Sequence, residues 1–82
     1  MNKILVTVYA LYLEKQYDIM IPINLSVKDA LELIQQALAE LSDNSYKNNP
    51  QAALYNENGA IINMNNIVKF SGLYNGCKVI LI

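Results

Sequence analysis

The side chains able to do covalent or acid–base chemistry are few. There is no histidine, and Cys77 is the one cysteine. A Ser/His or Cys/His pair, in which an imidazole takes the proton of the nucleophile, is therefore excluded. Cys/His zinc sites and thiolate-held iron–sulfur clusters are excluded with it. The carboxylates Asp18, Glu32, Glu40, Asp43 and Glu57 fall on different stretches of the chain and read as solvated surface groups. No glycine-rich phosphate loop is present, since Asn58-Gly59 and Asn75-Gly76 are isolated turn dipeptides. Cys77 opens a strand-like stretch with only Lys78 as a basic neighbour, which favours a packed thiol over a reactive one. The expectation is a protein with no catalytic residue, no cofactor and no metal.

Composition narrows the class further. A formal net charge of −1 argues against a nucleic-acid or anionic-membrane partner. A lone cysteine fits a reducing compartment. Met1-Asn2-Lys3 leads into alternating residues rather than an apolar block with a cleavage site, so no signal peptide is expected. No apolar run approaches the ~20 residues of a membrane span. The expectation is one cytoplasmic domain over residues 1–82, burying about 60–65 % of its chain surface and stable by about 4–12 kcal/mol. Apolar residues make up 54 % of the chain, a high share for so small a domain, and the excess needs a place to go.

The element that must organise such a chain is the stretch 26–41, which predicts one amphipathic helix. Ser26 suits the N-cap, and Asp29 in the first turn favours the positive end of the helix dipole. Val27, Ala30, Leu31, Ile34, Leu38 and Leu41 form an apolar stripe at spacings of three and four, with Lys28, Glu32, Gln35, Gln36 and Glu40 opposite. That stripe has to lie on a sheet, because the remainder reads as short strands. Residues 3–9 and 16–21 alternate and predict a hairpin around residues 11–15, a turn without Gly or Pro. Pro22 ends the second strand. Residues 42–50 read as a polar loop, within which Tyr46 is assigned no role. Short strands are predicted at 52–55 and 60–62. Residues 63–70 read as irregular, with one helical turn and Ile67 as the core anchor. The last strand, 77–82, is apolar on both sides. The first and last strands suit central, parallel positions, with the helix in the crossover. This is an α+β, β-grasp arrangement: a mixed sheet of four to five strands packed on one helix.

Sorting the strands by face gives a candidate site. Ile4, Val6, Val8, Tyr17, Ile19, Ile21, Leu54, Val79 and Leu81 turn to the helix. On the outer face Leu5, Tyr9, Met20, Tyr55, Ile80 and Ile82 add up to an apolar patch where a solitary sheet would be polar. Such a patch marks a protein-interaction surface; the competing reading is scattered surface residues of high β-propensity. The hairpin tip, Leu11-Tyr12-Leu13, is a second apolar candidate, unless it packs under the 44–50 loop.

The order and lengths of these elements resemble ubiquitin across the whole chain. Among ubiquitin-like proteins the sequence is most similar to the small YukD/EsaB family associated with type VII (WXG100/ESX-type) secretion in Gram-positive bacteria. The resemblance is carried by Val6-Thr7-Val8, by Tyr17-Asp18-Ile19-Met20-Ile21-Pro22, and by the block from Ser71-Gly72-Leu73-Tyr74-Asn75-Gly76 into Cys77-Lys78-Val79-Ile80-Leu81-Ile82. It implies a non-enzymatic accessory or regulatory module that docks its sheet face on a cytoplasmic domain of a secretion-system membrane subunit, or on itself as a homodimer. The alternatives are a stand-alone β-grasp adaptor in another pathway, and a truncated modifier or sulfur carrier. Modifiers and sulfur carriers share a flexible tail ending in Gly-Gly, whereas this sequence stops at Val79-Ile80-Leu81-Ile82, so conjugation is disfavoured unless residues are missing.

Overall fold

A computed structural model of the chain describes residues 2–82. Strand β1 (Lys3–Ala10) alternates between buried and half-exposed positions, as its period-two pattern of apolar residues requires. It pairs antiparallel with β2 (Lys15–Pro22), in register from Lys3 opposite Pro22 to Ala10 opposite Lys15. Helix α1 (Val27–Leu41) follows, then β3 (Leu54–Asn56), a single 3-10 turn at Val68–Phe70, and β4 (Cys77–Leu81). The strand order is β2-β1-β4-β3, with β1 and β4 parallel at the centre and β3 antiparallel to β4. The helix supplies the crossover that this parallel pair needs.

The helix begins where its cap is. The Ser26 hydroxyl accepts from the Asp29 N–H at 3.1 Å. Two further free N–H groups of the first turn are met by the distant 63–70 segment: Val27 N–H donates to the Asn66 carbonyl at 2.8 Å and Lys28 N–H to that of Met64 at 3.1 Å. Val27, Ala30, Leu31, Ile34 and Leu38 are buried against Ile4, Val6, Val8, Ile19, Ile21, Leu54, Val79 and Leu81, in one core cluster.

Several expectations are corrected. Leu41 is exposed, because the helix ends there and Ser42 caps it beyond the sheet. Gln35, placed on the polar side, is buried. In the 63–70 segment the anchor is Val68, fully buried, while its neighbour Ile67 is 40 % exposed. The backbone explains the exchange, since Ile67 is bridged to Ser26 and Val68 N–H donates to the Leu25 carbonyl. Residues 60–62 form no strand: Ile61 makes one bridge pair to Tyr55, and the chain turns away at once, with the Asn63 carboxamide accepting from the Asn65 N–H. Tyr17 is half-buried rather than part of the closed core. The hairpin closes without glycine because Glu14 itself adopts φ +55°.

Candidate functional site: the outer face of the sheet

Pairing register decides which outer residues meet. Ile80 on β4 lies opposite Tyr9 on β1 and opposite Tyr55 on β3. The three form one apolar row across β1, β4 and β3, toward the C-terminal ends of β1 and β4, each half-buried. The next row is polar: Lys78 opposite Thr7, and Thr7 opposite Asp18, where the Thr7 hydroxyl donates to Asp18 at 2.7 Å. Beyond it Leu5 faces Met20 across the β1–β2 pair. The six residues singled out by sequence therefore share a face but do not make one unbroken patch. Tyr9, Ile80 and Tyr55 stand together, and Leu5 and Met20 stand apart behind a polar stripe.

Ile82 continues the Tyr55–Ile80 side. Its backbone exchanges two hydrogen bonds with Ala53, at 2.9 and 3.1 Å, which extends the β3–β4 pairing past Leu81. It also forms one wall of a largely apolar cleft of about 490 Å³, whose other walls include Leu11, Tyr12, Tyr46 and Lys47. The hairpin tip does not tuck under the loop. Leu13 packs on the core, while Leu11 and Tyr12 stand exposed beside the cleft.

Tyr46 was missed by sequence reasoning and is the best-placed aromatic of the loop. It is buried, and its hydroxyl donates to Gln35 Oε1 at 2.7 Å. Gln35 Oε1 also accepts from Asn49 N–H at 2.7 Å, and Gln35 Nε2 donates to the Asn49 carbonyl at 3.2 Å. The loop that walls the cleft is thus bolted to the helix by one buried amide. Burial pushes the Tyr46 phenol above its ordinary pKa. The sequence signal was the spacing: Leu31, Gln35 and Leu38 stand at i, i+4 and i+7, so Gln35 occupies a core position of the helix.

Cys77 is buried, with its thiol inside the core cluster. Among the described residues no group of three or more His, Cys, Asp or Glu could hold a metal ion. No helix there is long and apolar enough to cross a membrane.

No protein-family model matches the chain, and no curated protein matches it by sequence. Solved structures do match in fold. The ubiquitin-like domain of the Mycobacterium tuberculosis type VII secretion system protein EccD1 superposes with a TM-score of 0.76 at 13 % identity, covering 100 % of this chain and 99 % of that one. A structure described as molecular mimicry of SUMO that promotes DNA repair gives a TM-score of 0.76 at 20 % identity, covering 100 % of this chain and 92 % of that one. A chain of the MycP5-free ESX-5 inner membrane complex gives 0.73 at 18 % identity; all of this chain aligns, over 21 % of that longer chain. At such identities the likeness is one of fold. The chain has the ubiquitin-like β-grasp fold, and its structural neighbours include ubiquitin-like domains of type VII secretion proteins.

Proposed function

We propose that the protein is a non-enzymatic interaction module, a YukD/EsaB-type accessory or regulatory component of a type VII secretion system in a Gram-positive bacterium. It acts in the cytoplasm, neither binding nucleic acid nor inserting into a membrane, and docks its sheet face on a cytoplasmic domain of a membrane subunit. The observation that carries this reading is the row Tyr9–Ile80–Tyr55, three apolar side chains from three strands aligned on a face turned away from the helix. Ile82 continues the row, and a partner reaching Leu5 and Met20 as well would also cover the polar stripe of Lys78, Thr7 and Asp18. The fold-level likeness to the EccD1 ubiquitin-like domain and to a chain of the ESX-5 inner membrane complex supports the pathway.

A second reading keeps the docking face and changes the pathway. The SUMO-mimicry structure superposes as well as the EccD1 domain does, so the fold fits a stand-alone β-grasp adaptor outside secretion equally. Affinity capture of an N-terminally tagged copy from its own host, read by mass spectrometry, separates the two. Non-covalent recovery of secretion-system membrane subunits or WXG100-type proteins, lost with Ile80→Lys, supports the first reading. Recovery of a different assembly, lost with the same variant, supports the second. Covalent adducts heavier by about one domain would overturn both and mark a modifier. Recovery of the protein alone, as a dimer abolished by Ile80→Lys, would place a second copy on that face.

A further inference from the structure

The chain contains two Asn-Gly dipeptides, Asn58-Gly59 and Asn75-Gly76. This is the sequence most prone to spontaneous deamidation, because glycine leaves its own nitrogen unhindered. The two sites are a matched pair in local geometry. Gly59 has φ +85° and Gly76 φ +87°, and a Cβ added at either would meet no atom within 4 Å. All four residues are exposed. Exposure and backbone shape therefore predict equal reactivity.

Their hydrogen bonds differ in kind. At Asn75 both reacting groups are committed to β1. The Gly76 N–H donates to the Leu5 carbonyl at 2.7 Å, and Asn75 Oδ1 accepts from the Leu5 N–H at 2.8 Å. The pair acts as one more rung at the start of the parallel β1–β4 ladder, next to Val6 opposite Cys77, and freeing it breaks two bonds to the central strand β1. At Asn58 the attacking nitrogen is held only within its own turn. Gly59 N–H donates to the Asn56 carbonyl at 2.9 Å, and Asn56 Oδ1 accepts from Asn58 N–H at 2.9 Å and Ala60 N–H at 3.0 Å. That turn closes on Asn56, the last residue of the edge strand β3, and makes no bond to the central strands. Local opening of a surface turn costs far less than opening a central strand pair.

We infer that Asn58-Gly59 is the deamidation site of the folded protein, while Asn75-Gly76 is held inert by Leu5. In the reaction the Gly59 nitrogen gives its proton to solvent base and attacks Asn58 Cγ. A Cγ–N bond forms, the bond from Cγ to Nδ2 breaks, and Nδ2 leaves as ammonia. Water then adds to either carbonyl of the resulting succinimide, leaving aspartate or isoaspartate. The new carboxylate takes the formal net charge from −1 to one unit more negative. It arises in a cleft that Asn58 shares with Tyr74 and Lys78, whose side chain belongs to the outer face.

The test is timed peptide mapping of the full folded chain in mildly alkaline buffer, with isoaspartate detected by enzymatic methylation. A parallel sample in denaturant supplies the intrinsic rates. In denaturant the two sites should react within about twofold to threefold of each other; in the folded chain Asn58 should lead by at least about tenfold, since a turn bonded only to itself at an edge strand opens more readily than one held by two bonds to a central strand. Asn58→Gln should abolish the acidic species on ion exchange without slowing unfolding. Comparable rates in the folded chain, Asn75 reacting first, or neither site reacting would each overturn the inference. So would an acidic species that persists undiminished in Asn58→Gln.

Discussion

Gln35 Oε1 accepts two hydrogen bonds of 2.7 Å, from the Tyr46 hydroxyl and from the Asn49 N–H, so one buried oxygen is fully satisfied. Removing either partner has a defined cost. Tyr46→Phe keeps the ring in place and deletes one donor, so it should destabilise the fold by about 0.5–1.5 kcal/mol in urea titration. Gln35→Leu removes the acceptor and strands the buried hydroxyl and the Asn49 N–H together, and should cost more, about 1–3 kcal/mol for each group left unpaired. The phenol also adds a pH dependence. Burial raises the Tyr46 pKa in the folded chain above its unfolded value near 10. The folded state therefore holds this proton more tightly, and the associated stability is complete below about pH 10 and lost as pH rises through the folded pKa. Denaturation midpoints taken from pH 8 upward should fall less steeply for Tyr46→Phe than for the parent chain. An unchanged slope would show that the phenol titrates as if it were exposed.

At the scale of elements, the helix and hairpin carry the fold. Leu38 is fully buried under the sheet. Leu38→Ala should cost about 2–5 kcal/mol, a large share of the stability of a domain this size. Leu38→Asp should leave the chain unfolded by circular dichroism, since no partner is available for a charge there. Glu14 holds φ +55° at the hairpin turn, where a side chain is strained and glycine is not. Glu14→Gly should raise the thermal midpoint, a gain of up to about 1 kcal/mol after the entropy glycine adds to the unfolded chain. These elements were legible because each repeats a period. The alternation of β1 and the stripe of α1 name their own buried faces, and Ser26 marks the helix start. Legibility ended where the period does. Between residues 63 and 70 nothing in the sequence chooses Val68 over Ile67; the choice is made by backbone bonds from Val68 and Lys69 to Leu25 and Ile23, more than forty residues away in sequence. Tyr46 itself lies on no periodic element; the one trace of it in the sequence is its partner Gln35, a polar residue at a core position of the helix stripe.

For the molecule as a whole, the two sides differ in charge. The exposed side of the helix and its end carry Asp29, Glu32, Glu40 and Asp43 against Lys28, whereas the outer face of the sheet carries Lys3 and Lys78 against an Asp18 already bonded to Thr7. Alternation told which residues share the outer face. Only the register told which of them touch, because a slip of two residues would leave every side chain on the same face with different neighbours. That register brings Ile80 between two tyrosines and sets Val79, beside it in the chain, at 1 % exposure in the core. A pair of substitutions one residue apart can therefore separate docking from folding. Val79→Lys places an unpaired charge among Val8, Leu54 and the helix and should abolish cooperative unfolding. Ile80→Lys puts its charge on the face open to solvent, beside Tyr9 and Tyr55, and should shift stability by about 1 kcal/mol or less. If the row is the docking surface, Ile80→Lys must lose the partner while retaining the parent melting transition, and Lys78→Ala, in the polar row alongside, should weaken capture less. A folded Ile80→Lys that still recovers the parent's partners would remove the Tyr9–Ile80–Tyr55 row from the interface and leave the cleft between Tyr12 and Ile82 as the docking surface.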